Sequence, residues 1–316
     1  MSRWLNNPVA IGAGTREIVV GARVPWLMRL RRPAPASAAA LVPAVEPASV
    51  AIPEEHCCTE AGLLDALRAA LAGTPATADA ITDAITDADA DAQRAAAPLP
   101  AASAQKRSAC MVLDDFWGNH AILRGDFRTL RARELEEIVL AHFADTYGID
   151  GESLIVRFSV QRGGRALFAS AMSRALHDGI HDVSTAEQVD ISRLRLGLPE
   201  MLNRIDVSAV SDEGLLLFVA DELMQAVMIE QHRWVAYDAQ RLFPGDAADA
   251  SRLAELAEQL FERLATRANL KHEDCKLYLV GAGTELEPFE ARFAAAVQLA
   301  PAADASRAHR LMECAQ

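Results

Sequence analysis

Two glycine turns hold the residues with the clearest chemical potential. The first lies in PVAIGAGTREIVV, residues 8–20, where an apolar run ends at Gly12-Ala13-Gly14-Thr15. The second lies in KLYLVGAGTELEPF, residues 276–289, where another run ends at Gly281-Ala282-Gly283. Glycine permits a tight turn and close backbone approach, and the amides there, or at a following helix start, can hold phosphate. Gly12, Gly14, Thr15, Gly281 and Gly283 are therefore the candidate nucleotide contacts. Magnesium bound to phosphate normally needs one or two carboxylates beside it, and residues 12–15 contain none. The second turn carries Glu285 and Glu287, which complement a helix dipole and repel phosphate. Thr284 with Glu287 spells a capping box, and Leu286 stands where a dinucleotide fingerprint needs its third glycine. Both turns read as corners with vestigial contacts, and neither ATP nor magnesium is expected.

Other arrangements fall short of a site. His177-Asp178-Gly179-Ile180-His181 sets two histidines one helical turn apart, as zinc would want, but Gly179 weakens a helix and no third ligand follows. The Asp-Ala run from Asp87 invites calcium, yet Ala92 and Pro98 occupy the places that need Gly and Glu. Ser103-x-x-Lys106 matches a bare nucleophile pattern inside a polar tether. There is no Walker loop and no G-x-S-x-G elbow. The five cysteines, at 57, 58, 110, 275 and 314, are odd in number and lack C-x-x-C spacing. The adjacent Cys57-Cys58 suits neither a disulfide framework nor tetrahedral zinc, so the set reads as reduced thiols. No catalytic residue and no metal ligand is assigned.

A net charge of -13 argues against a nucleic-acid groove, which demands a basic surface. Against this background stands VPWLMRLRR, residues 24–32. Arg23, Trp26, Met28, Arg29 and Arg31 are the candidate partner contacts, because exposed Trp, Met and Arg are enriched at interfaces. Clustered bases also draw acidic partners or anionic lipid. The plainer reading is a hairpin strand running into a solvated linker. No apolar stretch is long enough to span a membrane, and Arg16, Glu17 and Arg23 interrupt the one near the start, so no secretory signal is read.

The positioning elements follow from periodicity. Residues 8–24 read as strand, turn and strand, with a further strand near 48–52 and an amphipathic helix over 62–72. Residues 74–108 are Ala- and Asp-rich with little to bury, and read as a mobile insert. CMVLDDFWGNHAILRG alternates like a hairpin around Asp115 to Asn119. A helix over 133–147 precedes a hairpin closed by Gly163-Gly164. A helix near 173–182, a strand near 189–196 and a short helix over 199–204 come next. LLLFV, MQAVMIE and RWVAYDAQRL form a meander, followed by a helix over 251–267, the strand at 276–280 and a helix over 286–297.

This order resembles the actin-like ATPase superfamily, and more narrowly the PilM-type pilus-assembly proteins and the cytoplasmic domain of type II secretion GspL proteins. AIGAGTREIVV, LEEIVLAHFADTYGI, LIVRFSVQRGGRALFASAM, LLLFVADELMQAVMIEQHRWVAYDAQRL and KLYLVGAGTELEPF carry the likeness, over residues 8–30 and 109–300. The resemblance implies an α/β, ribonuclease H-like, two-lobed fold of mixed sheets flanked by helices, with a low-complexity insert. Its parts would be 1–73 with a Pro/Ala linker, the insert 74–108, the rest of lobe I over 109–205, lobe II over 206–300 and a tail 301–316. Family members hold ATP with two Asp-x-Gly turns; here Gly12-Ala13-Gly14 and Val219-Ala220-Asp221-Glu222 stand in their places, and Asp212-Glu213-Gly214 precedes its strand. The implied role is a non-catalytic assembly subunit of a type IV pilus or type II secretion machine. It would bind the short cytoplasmic tail of a bitopic, PilN-like inner-membrane protein, with other subunits of the machine as further partners. The expected place is the cytoplasm, peripheral to the inner membrane, and a chain stopping at Gln316 without a span favours the PilM-like arrangement. The alternative is an ATPase or small-molecule kinase using Asp114, Asp115 or Asp221.

Overall fold

The computed structural model describes residues 9–22, 47–73, 107–205, 210, 212–265, 271–281, 283–300 and 305–316. The basic stretch with Arg23, Trp26, Met28, Arg29 and Arg31, and the insert up to residue 106, lie outside them. The chain forms two compact units: Met1–Leu113 with Asp178–Arg195 and Ala308–Gln316, and Asp114–His177 with Leu196–Arg307.

In the first unit, β1 (Val9–Ala13) is central, and all five of its residues are buried. It pairs antiparallel with β2 (Glu17–Ala22) and parallel with β4 (Arg107–Leu113). β3 (Ala48–Ala51) and β8 (Val189–Leu196) complete the order β3-β2-β1-β4-β8. A strand covered on both faces reads as a continuous apolar run, as VAIGA does. Helix α1 (Glu60–Ala72) starts at Thr59, whose side chain accepts from Gly62 N at 3.1 Å, and buries Leu63, Leu67 and Leu71. Helix α3 (Arg174–Ala186) runs on through Gly179, where an added Cβ would meet Leu64 Cδ1 at 2.8 Å. The atom in the way ends a half-buried leucine side chain, and the helix tolerates the glycine despite its poor helix propensity.

Helix α7 (Arg307–Ala315) also joins this unit, with Ala308, Leu311, Met312 and Ala315 packed on Ala10, Val19, Cys110 and Val112. The sequence left this segment as a tail. It folds because those four apolar residues share one helical face and cover the central strands. The approach is close: a Cβ on Gly12 would collide with the Ala308 carbonyl and the Met312 backbone nitrogen.

The second unit repeats the sheet topology. β9 (Glu213–Val219), β10 (Leu223–Glu230) and β11 (Arg233–Arg241) form the antiparallel meander, and β12 (Lys276–Val280) lies parallel beside β9. β13 (Ala295–Ala300) lies parallel on the far side of β12. Helix α5 (Ala250–Ala265) seals one face with Leu253, Leu256, Leu260, Phe261 and Leu264. On the other face Leu216, Phe218, Val227 and Ile229 meet Leu198 and Leu202 of α4 (Gly197–Leu202) and Ile122. Ile122 belongs to a three-stranded sheet, β5 (Gly118–Arg124), β7 (Ala166–Ser173) and β6 (Leu154–Val160) in spatial order. Its far side carries α2 (Ala132–Tyr147), anchored by Leu135, Val139 and Phe143. Mixed α/β sheets flanked by helices, built twice, are the expected architecture.

Three elements differ from expectation. β4 and β5 are not a hairpin: β4 pairs with β1 and β5 with β7. A 3₁₀ turn, Asp115–Trp117, redirects the chain between them, and β4 is buried rather than alternating over its last five residues. The helix expected over 286–297 is one turn, α6 (Glu287–Glu290), because the following residues serve as β13 beside β12. Sheet pairing overrode alanine's helical preference there. The 114–177 segment, expected within lobe I, groups with the second unit.

Replacing Gly12 with Val should shift α7 off β1 at a cost of about 3 kcal/mol, the upper end for overpacking against backbone. Urea unfolding and protease cleavage within residues 308–316 would register it; unchanged stability would show that the helix position is not fixed by this contact.

Candidate functional site

The first glycine turn is closed by Gly14 N donating to Glu17 O at 2.9 Å, and Thr15 is buried. The nearest acid in sequence, Glu17, accepts from Ser49 Oγ at 2.7 Å. At the β9–β10 turn Ala220 N donates to Leu223 O at 2.9 Å, with no glycine, and Asp221 is exposed. Gly281 takes φ 92°, a left-handed conformation suited to glycine. Behind it the expected Thr284 cap is absent: α6 begins at Leu286 without a side-chain cap. Pro288 and the short span of α6 leave no helix long enough to present a dipole. One turn lacks the carboxylate, one lacks the glycine, and the third lacks the helix. These residues do not fit a magnesium-bound triphosphate.

The polar centre of the second unit lies where β4 ends. Asp114, in extended conformation, accepts from Phe116 N at 2.9 Å through Oδ1 and so caps the 3₁₀ turn. Asp115 Oδ1 accepts from Leu198 N at 2.8 Å and from His120 Nε2 at 2.8 Å. Arg307 donates from Nε to Asp114 Oδ2 at 2.7 Å and from Nη2 to Asp115 Oδ2 at 3.3 Å. All four carboxylate oxygens therefore accept from protein donors. The two acid side chains are 4% and 0% exposed, so the attraction acts in a medium far less screening than water. A planar guanidinium suits this fork, since it spans both acids at once.

His120 extends the network. It stands opposite Ser170 in the β5–β7 register, and its Nδ1 lies 2.8 Å from Ser170 Oγ. With Nε2 facing a carboxylate, that nitrogen carries the proton, and Nδ1 accepts from the serine hydroxyl. Ser170, His120 and Asp115 are thus connected as in a nucleophilic relay. Solvent does not reach it: the His120 and Asp115 side chains are 0% exposed and Ser170 is 8% exposed. The Tyr237 ring packs edge-on against His120, with centroids 5.4 Å apart, and its hydroxyl accepts from Gln225 Nε2 at 3.1 Å. Desolvation pushes the Tyr237 phenol pKa well up. The arrangement is a buried hydrogen-bond network that fixes local geometry.

Beside it is a cavity of about 260 Å³, lined in part by His142, Tyr147, Tyr237, Asp238 and Arg263. Arg263 Nε donates to Asp238 Oδ2 at 2.5 Å, and burial followed by Asp238 raises the Tyr147 phenol. His177 and His181, both half-buried, lie on α3. Among the described residues no three His, Cys, Asp or Glu side chains gather to hold a metal ion. The sequence reading named Asp114 and Asp115 but missed His120, Ser170 and Arg307. The available signal was two adjacent acids closing a buried apolar strand, a placement that requires a cation nearby.

Arg307→Met should destabilise the protein by about 3–5 kcal/mol, because it leaves two buried carboxylates without their cation. Denaturant unfolding checks this, and a loss below about 1 kcal/mol, as for surface pairs, would remove the cluster from the core of the fold.

No protein-family model and no curated protein sequence matches this chain. Among solved structures it is similar to the cytoplasmic domain of EpsL, an inner membrane component of the type II secretion system of Vibrio cholerae. That match has 12% identity, covers 86% of this chain and 80% of the other, and has a TM-score of 0.45. A PilM–PilN type IV pilus biogenesis complex matches at 14% identity over 86% and 81%, with a TM-score of 0.46. A Bacteroides thetaiotaomicron protein of unknown function with an actin-like ATPase fold matches at 8% identity over 60% and 68%, with a TM-score of 0.43.

Proposed function

We propose that this chain is a non-catalytic assembly subunit, of the kind found in type IV pilus or type II secretion machines, which works by binding rather than by turning over nucleotide. The observation that carries the reading is the β1–β2 turn. It has glycines but no carboxylate, and the space above Gly12 is taken by the backbone of α7. A divalent cation on phosphate is normally held by one or two carboxylates, and residues 12–15 contain none. The partner we propose is the short cytoplasmic segment of a single-span inner-membrane protein; among the similar structures is a PilM–PilN type IV pilus biogenesis complex, in which one protein is bound to another. An unpaired strand edge is the usual receptor for such an extended peptide. No helix among the described residues is long and apolar enough to cross a membrane.

The competing enzyme reading would draw on Asp114, Asp115 or Asp221. Asp114 and Asp115 already hold Arg307, His120 and two backbone amides, which weighs against their serving a cation. Asp221 lies on a turn without glycine.

Thermal melting with Mg-ATP separates the two, since a ligand bound only by the folded state raises Tm. No rise at about 1 mM nucleotide is expected, and a saturable rise would overturn the non-catalytic reading. Copurification of a single-span membrane protein with the tagged chain from solubilised membranes is the positive expectation.

A further inference from the structure

The one adjacent pair of cysteines sits in a turn whose conformation cysteine does not favour. His56, Cys57, Cys58 and Thr59 form a β-turn closed by Thr59 N donating to His56 O at 3.3 Å. Cys57 has φ -56° and ψ 143°, and Cys58 has φ 62°, the signature of a type II turn. Its third position normally takes glycine or asparagine, because another side chain crowds the backbone there. Such strain persists where something else holds or uses it. The turn is fixed on both sides: Cys58 N donates to Thr15 O at 3.5 Å, and Thr59 opens α1 as its cap.

The five cysteines differ in access, and no disulfide joins them. Cys110 and Cys275 are each 2% exposed, and burial pushes the Cys275 thiol up to about 12. Cys314 is half-buried on α7 with no other cysteine near it in sequence. Cys57 and Cys58 are both half-buried, the Cys57 thiol donates to Ile52 O at 3.6 Å, and their adjacency in the chain keeps the two thiols together.

We propose that Cys57-Cys58 is a reversible oxidation site that closes to a disulfide between neighbours when a hydroperoxide reaches it. One thiolate attacks a peroxide oxygen and the O–O bond breaks, giving a sulfenic acid and releasing alcohol or water. The second thiolate then attacks that sulfur, the S–O bond breaks, and hydroxide leaves to take up a proton. With hydrogen peroxide the sum is two thiols and one peroxide to one disulfide and two waters. Consecutive Cα atoms across a trans peptide are about 3.8 Å apart, below the usual disulfide range of about 4.4–6.8 Å. The ring is strained, so it reopens readily with thiol reductants, unlike a structural disulfide.

The test uses the full chain, treated with one equivalent of hydrogen peroxide, alkylated with iodoacetamide while folded, and read by peptide mass. The peptide spanning residues 57 and 58 should be two hydrogens lighter and refuse label, then accept two labels after dithiothreitol. Cys57→Ser and Cys58→Ser should instead accumulate a sulfenic acid that dimedone traps, at least about tenfold more than the parent chain. Circular dichroism of each variant checks that it is folded. Two alkyl labels on that peptide after peroxide, equal dimedone trapping in parent and variants, or a first disulfide involving Cys314 would overturn the proposal.

Discussion

Two ionised carboxylates side by side, nearly excluded from solvent, are costly unless something positive reaches both. Arg307 does so in the second unit, and its position in the chain gives the contact wider consequence. Asp114 is the first residue of the second unit after β4, and Arg307, which opens α7, is its last. Leu198, whose amide meets Asp115, lies just after the chain re-enters that unit at Leu196. One charged cluster therefore gathers three of the points where the chain enters or leaves. Partners of this kind lose little when all are present and much when one is removed, so the cluster specifies an arrangement more than it adds stability.

The network also shows a serine, a histidine and an aspartate lined up in a buried place. A relay needs an exposed nucleophile and spare donors for the developing oxyanion. Here the amide of Leu198 is committed to Asp115, and the hydroxyl faces a packed interior. Connectivity alone is a weak sign of catalysis; exposure and unused donors decide.

Much of the fold was legible because its strongest elements have one clear period. α5 shows its stripe of Leu253, Leu256, Leu260, Phe261 and Leu264 directly, and the β6–β7 hairpin announces itself through Gly163-Gly164. Where reading failed, long-range pairing had overruled a local pattern. Ala295–Ala300 looks helical until β12 is available as a neighbour, and the stretch from Cys110 to Arg124 looks like a hairpin until β1 and β7 claim its two strands. The sequence shows that the Gly12–Thr15 turn has no carboxylate, but nothing local shows that Gly12 is required by a helix almost 300 residues later. Arg307 was equally hidden, since its partners lie 193 and 192 residues upstream.

The packing of α7 has a consequence for how the molecule is made. Ala10, Val19, Cys110 and Val112 need Ala308, Leu311 and Met312 to cover them, yet those covering residues are made almost 300 residues after β1. Synthesis proceeds at about 5–20 residues per second, so the earliest strands wait on the order of tens of seconds with an apolar face uncovered. The second unit, whose residues are all made before residue 308, can condense first. During that interval the nascent β1 face is a natural client for a chaperone.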